Sequence, residues 1–401
     1  RPVVPVGSVF VPVTPVRVVD SRVVFGGVGP VVAGSSRVVS VAAPAGGGPA
    51  VVPVGAVAVA YNLTVPGPGS AGHVRVMPGD AVGLTSASAI NFRARETIAN
   101  AATVKVAPDR TVKVYAGSTA DVIIDVVGYF VPAAVGDGPV PSAAAAGRFT
   151  PVTPVRVYDA AADPGGLLAG GADRLVSTAS TQAGGVPVVP VGASAVAYNV
   201  TVVETAGAGH VRVMPGDVAS SSTSAINWST AGERIANGSV VGVDADRQIR
   251  VFNGGGAPVR FLVDVVGYYS QAGQEFFPVD PVRTTDTRYA QGGAGPVAPV
   301  LPGARAVSVA ATQAGGMAVV PAGVSAVAFN ATVVATGSMG HLRVFPANAV
   351  LPTASVLNWP AAGYTRANAT AVGVSPERQV TLYNGAGTPT DVLIDINGYY
   401  Q

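Results

Sequence analysis

The chain has 401 residues and a formal net charge of +2, with only 11% charged residues against 49% hydrophobic ones. Its cations are Arg apart from Lys105 and Lys113 and form no basic cluster, which excludes the concentrated positive face of a nucleic-acid binder. There is no cysteine, hence no disulfide, thiolate catalysis or Cys-ligated metal, and no run of about 20 uninterrupted apolar residues to span a membrane as a helix.

With 33 Pro and 51 Gly dispersed among abundant Val, strands are expected in place of long helices. The first distinctive phrase is P-V-R-V-V-D, Pro15 to Asp20. Further on, Val57, Val59, Tyr61, Leu63 and Val65 alternate with Ala58, Ala60, Asn62 and Thr64, the period of a strand with one buried face. Val74 and Val76 alternate with His73, Arg75 and Met77, and Val112 and Val114 with Thr111, Lys113 and Tyr115. Pro78-Gly79-Asp80, Pro108-Asp109-Arg110 and Ala116-Gly117-Ser118 read as turns between them. Asp121 to Phe130 is a nearly continuous apolar strand, as expected at the centre of a sheet.

These phrases return twice in the same order. The opening one recurs at Pro154 to Asp159 and Pro281 to Asp286; A-V-A-Y-N-L-T-V recurs ending at Val202 and Val333; G-H-V-R-V-M-P recurs from Gly209 and Gly340. S-A-I-N-F ends at Phe92 and its copies at Trp228 and Trp359, and each copy closes on a D-V-V-G-Y-F phrase starting at Asp125, Asp264 or Asp395. Repetition on this scale marks whole structural units. The expected organisation is all-β: three tandem homologous β-sandwich domains, Ig-like or jelly-roll-like, at 1–131, 148–269 and 276–401, with a small closed barrel as the alternative. A Pro/Ala/Gly linker at 132–147 and a short one at 270–275 should separate them, which would hold the second and third domains in a closer relation than the first and second.

The set P-V-R-x-x-D-T-R (fullest at Pro281 to Arg288), N-x-T-V, G-H-x-R-V, S-x-x-N-F/W, A-N and terminal D-V-V-G-Y-F resembles a β-rich repeat of secreted actinobacterial proteins, where it occurs in tandem, alone or beside secreted hydrolase domains. The resemblance covers nearly all of the chain outside the linkers. It implies an extracellular, wall-associated location and brings no activity with it. The first two copies depart from D-T-R, reading Asp20-Ser21-Arg22 and Asp159-Ala160-Ala161, so a site built on that Arg would be missing from the second. The start at Arg1 fits a mature product whose signal peptide has been removed, and a cloned fragment would look the same.

Three groups of residues are candidates for chemistry. His73, His210 and His341 are the only histidines and occupy equivalent places; on a closed threefold ring they could converge on a metal such as zinc. Unequal linkers argue against such a ring, so each His is expected to bond locally. Asp121 with Asp125, or Asp391 with Asp395, could form a glycosidase-like carboxylate pair, but Arg260 replaces the first acid in the middle copy. Arg17, Arg156 and Arg283 are instead expected to bridge Asp125, Asp264 and Asp395, joining the first and last strands of each copy, because an acid inside an apolar strand must be paired.

Asn62, Asn199 and Asn330 fall in N-x-T sequons, yet a ladder of side-chain hydrogen bonds suits them better than glycans, and Asn91, Asn100 and their copies should tie turns to strands. Phe92, Trp228 and Trp359 are expected in the core, or stacked on sugar rings if exposed. No catalytic triad order, phosphate loop or calcium loop is present, and no cofactor or metal is implied. The expected function is a non-enzymatic extracellular structural or adhesive one, with the chain packing on itself or on other envelope proteins in a surface layer, sheath or filament. The small-residue face of Ala58, Ala60 and Thr64 would supply a flat contact surface. The alternative is a multivalent protein that binds wall glycan or another extracellular polysaccharide.

Overall fold

Val alternating with small and polar residues, broken by Gly and Pro every few positions, favours short strands, and a computed structural model has 24 of them and no helix among its described residues. Those residues are 6–23, 29–133, 146–289, 298–312 and 316–401. The first repeat contributes β1 (Ser8–Asp20), β2 (Ser35–Ser40), β3 (Ala58–Val65), β4 (Gly72–Pro78), β5 (Ile90–Phe92), β6 (Ile98–Lys105), β7 (Thr111–Ala116) and β8 (Ile123–Pro132). The second contributes β9 (Arg148–Asp159), β10 (Asp173–Ser177), β11 (Ala195–Val203), β12 (Gly209–Pro215), β13 (Ile226–Trp228), β14 (Ile235–Gly242), β15 (Gln248–Asn253) and β16 (Arg260–Ser270). The third contributes β17 (Phe276–Asp286), β18 (Gly303–Ser308), β19 (Ala326–Val334), β20 (Gly340–Pro346), β21 (Leu357–Trp359), β22 (Arg366–Gly373), β23 (Gln379–Asn384) and β24 (Asp391–Tyr400).

Each repeat builds two antiparallel sheets, ordered β1-β8-β3-β6 and β2-β7-β4-β5 in the first. The pairings are nested: first strand with eighth, second with seventh, third with sixth, fourth with fifth. An antiparallel ribbon wrapped so that alternate rungs fall on opposite sheets gives this order, which is that of a jelly roll and not of a closed barrel. Val59, Tyr61 and Leu63 from one sheet meet Val74, Val76, Val112 and Val114 from the other in the core.

The repeats do not follow one another as beads. Phe10 exchanges backbone hydrogen bonds with Gly147 at 2.9 and 2.8 Å, Phe149 does so with Gln274 at 2.9 and 2.8 Å, and β1 meets β17 at Ser8 and Phe276. The segment leading into each repeat thus pairs with the first strand of another, second on first, third on second, first on third, which closes a ring. At its centre Phe10, Tyr269, Phe149, Tyr400, Phe276 and Phe130 form a cycle of rings with successive centroids 4.3 to 5.1 Å apart. The glycine of each closing phrase makes room for it: a Cβ on Gly128 would stand 2.2 Å from the Phe10 ring.

Three expectations are corrected by this closure. Unequal linkers do not prevent a ring, because each leading segment has only to reach a neighbouring first strand, and Gln274 and Glu275 of the short linker are themselves paired, to Phe149 and Gln401; residues 134–145 of the long one lie outside the described residues. The same backbone pairing recurs at all three junctions, so the short linker does not by itself set the second and third repeats apart from the others. Nor do β3, β11 and β19 bury a single face: nearly every residue in them is buried. Ala58 and Ala60, with their counterparts Ala195, Ala197, Ala326 and Ala328, pack on the central hub, where small side chains let three sheets approach.

Candidate functional site

The recurring polar residues are placed by the strands that surround this axis. Arg17 on β1 and Asp125 on β8 are register partners, as are Arg156 with Asp264 and Arg283 with Asp395. In each case the guanidinium donates twice, Nε to Oδ1 at 2.9, 2.8 and 2.8 Å and Nη2 to Oδ2 at 3.4, 3.1 and 3.0 Å. Each carboxylate is fully buried, and burial pushes its pKa up while the Arg hydrogen bonds pull the other way. Arg17 and Arg283 also reach across to Ser222 O and Ser86 O of neighbouring repeats.

Asparagines form the seam between repeats. Asn237 on β14 donates to Asn62 Oδ1 of β3 at 2.8 Å, Asn368 on β22 donates to Asn199 Oδ1 of β11 at 2.9 Å, and Asn100 on β6 donates to Asn330 Oδ1 of β19 at 3.0 Å. The Oδ1 atoms of the three donors accept backbone N–H groups of the adjoining edge strand, from Ala101, Gly238 and Ala369 at 3.0, 2.7 and 3.0 Å. Asn62, Asn199 and Asn330 in turn donate to Ser224 O, Ser355 O and Ser88 O. A sheet edge at the axis would otherwise bury unpaired amides. The sequon asparagines therefore bond between repeats and not along a ladder within one; Asn100, Asn237 and Asn368 also bond between repeats, and in addition tie their strands to turns of their own repeat by donating to Ala89 O, Ala225 O and Val356 O. Asn91 does tie a turn, to Ser88 Oγ at 3.0 Å.

The three histidines do not converge. Each lies within its own repeat, on β4, β12 or β20, with its imidazole over the glycine that directly follows the paired strand β7, β15 or β23: a Cβ on Gly254 would stand 2.1 Å from His210 Nε2. His210 and His341 accept from Arg212 and Arg343 Nε at 3.2 and 3.1 Å, which occupies the lone pair a metal would use. Burial, with the adjacent Arg second, holds all three pKa values below the ordinary histidine value. Among the described residues no group of three His, Asp or Glu is placed to hold a metal.

Sugar stacking is not open to the aromatic candidates. Phe92, Trp228 and Trp359 are buried, and the two indoles donate to Gly207 O and Ser338 O at 2.6 Å. The acid pairs are likewise engaged separately: Asp121 and Asp391 accept from Ser21 and Thr287 hydroxyls at 2.6 Å, while Asp125 and Asp395 hold their arginines.

The departures in the middle repeat compensate one another. In the outer repeats Arg22 grips Asp20 and Arg288 grips Asp286, each at 2.7 Å. The second repeat lacks that Arg, having Ala161, but Arg260 comes from the last strand to grip Asp159 at 2.8 and 3.1 Å. Hydrogen bonding to these guanidinium groups holds Asp20 and Asp159 below the usual carboxylate range.

One contact breaks the threefold pattern: Arg366 stands where Ile98 and Ile235 stand in the other repeats, buried between Glu96 and Glu233 at 2.8 and 3.3 Å. Nothing in the repeat phrases points to it; the only signal is a lone charge at a position otherwise Ile. Between hub and seam lies a cavity of about 40 Å³ lined by Tyr61, Thr103, Ser239, Thr370, Asn397 and Tyr400, room for two or three water molecules.

No family model matches the chain. No curated protein matches it either. Among solved structures, it is similar to one described as the triple jelly roll fold and turret assembly in an archaeal virus, with 10% identity over 98% of this chain and 90% of that one, at a TM-score of 0.18. A likeness at that score carries no argument about function.

Proposed function

We propose that the protein is a non-catalytic structural or adhesive block of an extracellular surface, packing with copies of itself or with other envelope components in a layer, sheath or filament. One observation carries the reading: the repeated polar side chains, which are the natural candidates for chemistry, are engaged inside the fold, the Arg–Asp pairs and histidines within each repeat and the six buried seam asparagines between repeats. The loops present apolar side chains outward, including Val54, Val82, Val191 and Val350 at 79 to 106% exposure, and exposed apolar groups in number suit contact with a partner surface.

The small-residue face of Ala58, Ala60 and Thr64 no longer supports self-association, since it packs inside the molecule. The carbohydrate reading has lost its aromatic platforms. Sedimentation and negative-stain imaging of the pure chain test the proposal. Ordered assemblies that grow with concentration are the expected result; a monomer retained on cell-wall polysaccharide, or turnover of any substrate, would contradict it.

A further inference from the structure

Each repeat has four sheet edges, and three are closed within the molecule. The edge of β6 is capped by asparagine from its neighbour, with β14 and β22 treated alike. The edges of β1, β9 and β17 meet the leading segments of other repeats. The three-residue edges β5, β13 and β21 lie against β22, β6 and β14. The fourth, formed by β2, β10 and β18, ends its sheet with no described strand beyond it. Ser36, Val38, Leu175, Ala304 and Ala306 on these strands are exposed, Val38 at 51% and Leu175 at 44%.

Proteins commonly guard an open edge with a charge held over it, a proline or a bulge. None of these three strands contains proline, and each pairs with its inner neighbour in unbroken register. Their charged side chains are tied back. Arg37 donates to Gly29 O and Pro30 O at 2.7 and 3.1 Å, Arg174 to Gly166 O and Gly165 O at 2.6 and 3.1 Å, and Arg305 to Ala298 O and Pro299 O at 2.7 and 3.1 Å. Asp173 is held by Arg250 of its own sheet. The molecule therefore presents three equivalent strips of backbone donors and acceptors, each with its Arg anchored to carbonyls of its own repeat.

We propose that the outer edges of β2, β10 and β18 pair antiparallel with the same edges of other copies of this chain, joining threefold blocks into a network. The inference rests on the self-associating function proposed above and names its contact. An antiparallel pair of like edges is twofold symmetric, so each edge complements its own kind. The arginines stay cationic but are anchored to carbonyls of their own repeat, which lessens the repulsion that like charges impose across strands. One strip of five or six residues is a weak contact, but three on one rigid block act together.

The test places a lysine on each edge of the full chain, Val38→Lys, Leu175→Lys and Ala306→Lys together, with Val38→Thr, Leu175→Thr and Ala306→Thr as the companion. Sedimentation and negative-stain imaging follow assembly against concentration, and thermal unfolding confirms the fold. The lysine variant should need about tenfold more protein, or greater, to assemble, while the threonine variant assembles like the parent. Chains with one lysine keep two free edges and should give strings in place of networks, so the idea stays testable if the triple variant folds poorly. Lysine variants that assemble like the parent would overturn the edge contact and leave self-association standing; a parent that stays monomeric at every concentration would overturn both.

Discussion

Asn237 of the second repeat donates through Nδ2 to Asn62 Oδ1 of the first at 2.8 Å, while its own Oδ1 accepts the Ala101 amide at 3.0 Å. Asn237→Ala leaves both an acceptor and a donor buried without partners, and should cost about 2 to 4 kcal/mol by chemical denaturation. Asn62→Ala added to it should cost less than the two single losses summed, since both remove one bond. Strict additivity would mean that the two residues do not interact.

Arg156→Ala strands the Asp264 carboxylate inside an apolar strand. About 3 kcal/mol should be lost from the full chain, and Arg156→Lys should recover only part, because a point charge cannot reproduce the two-pronged contact. An unmoved unfolding midpoint in Arg156→Ala would show the pair to be incidental.

The exchanged charges of the middle repeat invite a rescue experiment. Arg260→Asp removes the guanidinium from Asp159 and sets a second acid beside it, with an expected loss of about 1 kcal/mol. Adding Ala160→Ser and Ala161→Arg rebuilds the arrangement seen around Asp20 and Asp121 and should restore at least half of the loss. No recovery would mean that the swap is not a structural equivalence.

Stability should fall on acidification from about pH 6.5, before most carboxylates titrate. His73, His210 and His341 have depressed pKa values in the fold, so below the ordinary value the unfolded chain binds more protons than the folded one. Their contribution is complete above that value and is lost as the pH drops toward the folded-state values. Replacing all three with Gln should flatten the slope between about pH 5 and 7; an unchanged slope would place the imidazoles outside this balance.

Much of the fold is legible from repetition alone. The order of recurring phrases matches eight strands per repeat, and an acid within D-V-V-G-Y-F has a partner in P-V-R because burial leaves a carboxylate few alternatives. Closure of the ring is not legible in the same way, because Ala58, Ala60, Asn62 and Thr64 look like an ordinary polar face when only period two is considered. The telling signal is that this face carries no charge in any copy, which suits a strand covered on both sides. Arg366 and the glycines beneath the histidines depend on contacts between strands distant in sequence, and no local pattern encodes those.

The closed axis is tested most directly by native-state hydrogen exchange at the backbone amides of Ala101, Gly238 and Ala369. They lie on edge strands and point away from their own sheets, toward asparagines of the next repeat. If the three repeats close on one another, these amides exchange as slowly as those in the central strands β3, β11 and β19; exchange at the rate of exposed edge amides would show that the repeats stand apart.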